Sequence, residues 1–137
     1  MARDTLASWG ERVALAADDL LALPATGPIL TEGPGFFPDV LAPLLADLRR
    51  AIWLVPTPAF ARASLFRRDK LGGMPLSDLA RARENLHARD LLLGAHVATT
   101  ARDRGLTVLP IDETTDPATI AALVAAHFAP FLPREES

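Results

Sequence analysis

The stretch Ala51-Ile52-Trp53-Leu54-Val55 is apolar at every position. Such continuity suits a strand buried on both faces of a parallel sheet better than an edge strand with one wet face. Pro28-Ile29-Leu30-Thr31-Glu32 and Leu106-Thr107-Val108-Leu109-Pro110-Ile111 are short apolar runs bounded by turn residues, and they read as two more strands. The segments between them carry helical signals. Leu6, Trp9, Val13, Ala16, Leu20 and Leu23 recur at three- and four-residue spacing, which draws one apolar stripe on a helix from about Thr5 to Leu23. Asp4 is placed to cap that helix, and Pro24 and Gly27 stop it.

Further along, Pro38 opens a short helix over Asp39 to Leu48, and Thr57-Pro58 caps one that carries Arg62, Arg67, Arg68 and Lys70. Leu71-Gly72-Gly73-Met74-Pro75 reads as a connection. Ser77 then caps the longest helix, running to about Arg104, with Gly105 as its stop. Asp116-Pro117 opens the last helix, with Ile120, Leu123, Val124 and Phe128 on one face, and Pro130 ends it before a frayed tail from Pro133 to Ser137. The order is helix, strand, helix, strand, helix, helix, strand, helix. Alternation of this kind predicts an α/β fold with right-handed crossovers: three layers, a parallel sheet covered by helices on both sides, in a single domain over residues 1–137.

Composition narrows the function classes. A net charge of -3 gives no electrostatic reason to expect nucleic acid as a partner. With no cysteine, disulfides, thiolate metal sites and thiol catalysis are excluded. His87, His96 and His127 share no metal-ligand spacing, so no metal site is expected from them. No apolar run approaches the roughly 20 residues that span a bilayer, and the N-terminal MARDTLASWGER lacks the pattern of a signal peptide. The expectation by elimination is a cytoplasmic protein with no membrane partner. Trp9 and Trp53 read as core residues.

Four pieces of the chain, in order, resemble P-loop small-molecule kinases of the nucleoside, gluconate and shikimate kinase type. Ile29-Leu30-Thr31-Glu32-Gly33-Pro34 is similar to their acid-ended third strand, and Ala51 to Lys70 to the fourth strand with an arginine-bearing lid. Arg81-Ala82-Arg83-Glu84-Asn85-Leu86 with Arg89 is similar to the helix after the lid, and Gly105 to Asp116 to the last strand and its adenine-side loop. The resemblance covers the C-terminal two-thirds of such a fold. It implies ATP and Mg as cofactors of the complete fold, and transfer of the γ-phosphoryl group to a small hydroxyl-bearing molecule.

The same resemblance assigns roles. Glu32 would hold a Mg-bound water or accept a proton from the substrate hydroxyl, Arg62, Arg67 and Arg68 would clamp phosphates, and Thr114 and Thr115 would lie on the adenine side. Each has a plainer reading: a carboxylate capping the Gly33-Pro34-Gly35 turn, a solvated basic helix end, and turn residues ahead of Asp116-Pro117, the last of these being the one favoured. Arg81, Arg83 and Arg89 have Glu84 and Asp90 as surface partners.

One element is missing from the sequence. No G-x-x-x-x-G-K-[ST] occurs in the 137 residues, so neither ATP nor Mg is expected to bind well to this chain alone, and no significant kinase activity is expected. In the family sheet the phosphate-loop strand lies centrally, between the strands that residues 29–32 and 51–55 resemble. Without it those neighbours would face a gap with unpaired backbone groups. The expectation is either an incomplete chain, or a non-catalytic α/β module that binds a partner or forms a homodimer through its exposed sheet edges. A third reading is an unrelated α/β binding domain.

Overall fold

A computed structural model of the chain describes residues 2–24, 26–68 and 77–133, without the side chains of 2–7 and of Arg68. Its helices are α1 (Ala2–Leu21), α2 (Pro38–Leu41), α3 (Pro58–Arg68), α4 (Leu79–Asp103) and α5 (Pro117–Phe128), with 3₁₀ turns at Ala42–Leu44, Leu48–Arg50 and Ala129–Phe131. Two strands, β1 (Ile52–Pro56) and β2 (Thr107–Ile111), pair in parallel from Ile52↔Thr107 to Pro56↔Ile111. The chain is therefore α/β, with α3 and α4 making the crossover between the strands. Lys70 and the connection Leu71 to Pro75 lie outside the described residues, as does all of the tail beyond Pro133.

The core sits on one face of this sheet. Parallel partners point to the same side, so Trp53 and Val108 face together towards α4. Ala51, Trp53, Ala101 and Leu106 form the buried cluster, with Val55, Val97 and Val108 packed against it from the sheet and α4, and Leu41, Ala42 and Leu45 from the α2 region. Gly94 of α4 faces Val55, whose Cγ1 would lie at an ordinary contact distance of 3.8 Å from a β-carbon there. The indole of Trp53, only 8% exposed, donates from Nε1 to the Phe36 carbonyl at 2.7 Å. That one bond ties the loop before α2 to the sheet. On the opposite face Leu54 is 46% exposed, whereas Ile111 on that same face is buried, at 6%.

The chain ends its elements where backbone chemistry requires it. Gly105 adopts φ 69, the left-handed conformation that a β-carbon disfavours, and the following amide of Leu106 bonds the Ala101 carbonyl at 2.9 Å to close α4. Thr57 Oγ1 accepts from the Phe60 amide at 3.3 Å to cap α3, and Asp116 accepts from the amides of Ala118 and Thr119 to cap α5. His127 Nε2 lies 3.1 Å from the Ala51 carbonyl. A carbonyl can only accept, so this nitrogen carries the proton, and the bond holds the end of α5 to the start of β1.

Four expectations are corrected. Residues 28–32 are not a strand: the backbone runs through 28–33 without turn or bend, but no neighbouring strand pairs with it. A strand needs a partner, and β1 pairs only with β2 among the described residues. The helix over Asp39 to Leu48 stops early, because Pro43 lacks an amide hydrogen and its ring crowds the carbonyl four residues back. The chain tightens into the 3₁₀ turn at 42–44, and Leu45 is extended at ψ 122. Asp4 lies inside α1, which starts at Ala2, rather than at its cap. The cap of α4 is Asp78, whose Oδ1 accepts from the Arg81 amide at 2.9 Å, with Ser77 one residue too early for that reach.

The tie at Trp53 yields a measurable consequence. Trp53→Phe keeps an aromatic ring in the core but leaves the Phe36 carbonyl without its donor, which costs about 1–3 kcal/mol. Urea unfolding monitored by circular dichroism should show a lower midpoint with an unchanged slope; a midpoint equal to the parent's would mean that the bond contributes nothing.

Candidate functional site

The segment that ends in Glu32 leads directly into the turn Gly33-Pro34-Gly35. The turn folds back on itself, with the Phe36 amide bonding the Gly33 carbonyl at 3.4 Å and the Phe37 amide bonding the Gly35 carbonyl at 2.9 Å. It packs under α1. Trp9, Arg12 and Val13 of that helix and Glu32, Gly35 and Phe36 of the loop enclose an open cleft of about 190 Å³. The fit between them is tight: a β-carbon on Gly35 would fall within the six-membered ring of Trp9. Only a glycine lets the indole lie flat on the loop backbone.

Charge is confined to two residues of this cleft. Arg12 places its guanidinium 5.2 Å from the centre of the Trp9 ring, a cation–π distance. Glu32 stands at the other side of the lining and is exposed. A carboxylate acceptor, a planar cation and an aromatic floor together suit a small polar molecule with a hydroxyl and a negatively charged group. Residue types alone point to Glu32, through its place at the end of an apolar run. Arg12 gives no such signal, because its partner loop is some twenty residues away in the chain. Trp9, expected in the core, is half-buried and lines the cleft, whereas Trp53 is a core residue as expected.

The lid arginines sit elsewhere. Arg62 and Arg67 are exposed on α3, the first with its guanidinium 5.5 Å from the Phe66 ring centre. Neither forms an ion pair with Glu32 among the described residues, and the side chain of Arg68 lies outside the description. Arg89 pairs with Asp90 at 2.7 Å, an ordinary surface contact.

Thr114 and Thr115 follow β2 in a turn organised by Asp112. Its Oδ1 accepts from the Thr114 amide at 2.9 Å, the Thr114 hydroxyl at 2.6 Å and the Thr115 hydroxyl at 2.9 Å. Those bonds, the Thr114 hydroxyl foremost, hold the Asp112 carboxyl below the usual carboxylate range. Both hydroxyl protons are thus already donated, and the geometry is that of the turn favoured from sequence. The loop abuts the start of α3, where the Thr57 amide bonds the Ile111 carbonyl at 2.8 Å.

One side-chain pair was not legible beforehand. His96 Nε2 of α4 lies 3.6 Å from Asp39 Oδ1 of α2, and neither atom has a hydrogen-bond partner. Their spacing across 57 positions carries no pattern that a single sequence reveals.

Among the described residues no three His, Cys, Asp or Glu side chains are grouped to hold a metal ion, and no Gly-rich loop ending in Lys-Ser/Thr exists in the sequence to cradle phosphates. No helix of the described residues is long and apolar enough to cross a membrane. No family model, characterised protein or solved structure matches the chain.

The contact between Trp9 and Gly35 is open to test. Gly35→Ala must push the indole off the loop, an overpacking cost of about 1–3 kcal/mol, and should lower the thermal midpoint and raise the accessibility of Trp9 to a fluorescence quencher. Unchanged stability and unchanged quenching would show that the ring does not rest on this backbone.

Proposed function

We propose that the chain is the acceptor-side and lid-side portion of a P-loop kinase-like phosphotransferase fold, inactive in phosphoryl transfer as these 137 residues. The observation that carries this reading is the unit from β1 to β2. Its strands pair directly and in parallel, and the crossover between them carries Arg62, Arg67 and Arg68 on α3. That order is the one the resemblance implies for the fourth strand, the arginine-bearing lid and the last strand. The glutamate at the end of the 28–32 segment, beside a cleft of the size of a small metabolite, adds to it.

In this reading the cleft receives a small hydroxyl-bearing acceptor. Glu32 accepts a hydrogen bond from the reacting hydroxyl and orients its oxygen. Arg12, stacked on Trp9, offers a planar pair of donors to an anionic group of the same molecule. Exposed arginines on α3 would meet phosphate oxygens once a phosphate-binding loop faced them. This chain lacks the backbone amide cradle and the lysine that neutralise the transferred phosphates, so no transfer step is assigned to it.

The test combines two measurements. The purified 137-residue chain should show no ATP-dependent phosphorylation of hydroxyl-bearing metabolites above background, and the protein from its native source should have an intact mass above 14.7 kDa, with a G-x-x-x-x-G-K-[ST] in the added part. Turnover by the short chain within about tenfold of an ordinary enzyme rate near 10 s⁻¹, or a longer native form without that motif, would contradict the proposal.

A further inference from the structure

A protein of 14.7 kDa that folds into a well-packed monomer exposes about 6,900 Å², whereas this chain exposes 9903 Å². The surface that one partner gives to a standard interface is about 800 Å². The described residues show where apolar surface is left out. Leu21 is 84% exposed, Leu23 51%, Ile29 51% and Leu30 75%, all along one stretch of chain. Every described residue from Leu21 to Glu32 is exposed.

Two backbone features accompany this surface. Residues 28–32 run without turn or bend and bond to no other backbone group among the described residues. β1 pairs with β2 on one side, and its other edge has no strand beside it among the described residues. Within one chain the first cannot simply fill the second. The segment is anchored at its end by the Phe36 carbonyl on the Trp53 indole, a side chain that points to the α4 face of the sheet rather than along its edge.

We propose that two copies of the chain associate by exchange of this segment, residues 28–32 of each pairing with the open edge of β1 in the other. A two-fold axis satisfies both halves at once, because each chain carries one donor segment and one acceptor edge. Pairing adds a third strand to each two-stranded sheet, which is otherwise marginal on its own. It also covers Ile29, Leu30 and the exposed side of Leu54. A second copy is the occupant for which both complementary elements are on the same molecule. The proposal does not depend on the phosphotransferase reading, and either can fail without the other.

Size-exclusion chromatography with light scattering on the 137-residue chain should give twice 14.7 kDa, constant over about a hundredfold range of concentration above the dissociation constant. Leu30→Lys and Leu54→Lys should each give the monomer mass with unchanged circular dichroism, since both side chains are exposed in the single chain. Leu92→Lys, 64% exposed on α4, should leave the dimer intact. The absence of cysteine permits a direct register test. Thr31→Cys chains mixed with Leu54→Cys chains under an oxidant should give a mixed disulfide-linked dimer, with two thiols losing their protons and two electrons to the oxidant. A monomer at all concentrations overturns the proposal. So does a dimer indifferent to Leu30→Lys and Leu54→Lys, a mass that grows without limit, or a mixture that forms no mixed disulfide.

Discussion

The side chain of Trp53 joins three parts of the molecule. Its ring packs with Ala101 and Leu106 where α4 ends and β2 begins, and its Nε1 holds the Phe36 carbonyl of the loop ahead of α2. Through that loop the same side chain determines where the Gly33-Pro34-Gly35 turn lies, and hence where α1 rests on it through Trp9. The cleft between α1 and the turn is thus a consequence of the core rather than a separate feature. A small domain has little stability to divide among its parts, of the order of 5–15 kcal/mol in all, and the indole holds Phe36 of the cleft directly, so a change at Trp53 reaches the candidate site.

The packing on the two faces of the sheet is uneven, and this shapes the functional reading. Helix α4 covers one face of the sheet and the α2 region extends that cover, while Leu54 on the other face, beyond the buried Ile111, and every described residue from Leu21 to Glu32 stay in water. Parallel strands with apolar residues on both faces belong in the interior of a larger sheet. The phosphotransferase reading and the strand-exchanged dimer both follow from this mismatch. In the first, the open edge belongs to a fold whose phosphate-binding part is not in these residues; in the second, a copy of the chain occupies it. Glu32 lies at the junction, with its carboxylate on the cleft and its backbone at the end of the unpaired segment.

Much of the architecture was legible in the sequence because local chemistry dictated it. Runs 51–55 and 106–111 became β1 and β2 with shifts of one residue, and Gly105, Thr57 and Asp116 ended or began helices as their backbone and side-chain chemistry requires. The 28–32 run failed as a strand because pairing is non-local: its apolar composition matches β1, but nothing in a sequence reveals whether a neighbour is there. Pro43 ends the short helix through its missing amide hydrogen, a local effect that overrides the helical pattern of 39–48. At the candidate site Glu32 stood out by position, while Arg12 did not, since only the fold of α1 onto the glycine turn brings it there. Thr114 and Thr115 read correctly as turn residues because Asp112, two and three positions earlier, supplies the local acceptor.

Native-state hydrogen exchange by NMR, at a concentration where the chain is monomeric, tests the open sheet edge most directly. The amides of Trp53, Leu109 and Ala101 should exchange only through global unfolding, while those of Ile29 to Glu32 exchange near the rate of an unstructured peptide. Protection at Ile29 to Glu32 equal to that of β1, in a sample shown to be monomeric, would mean that the segment is paired within its own chain and that the sheet has no open edge for it.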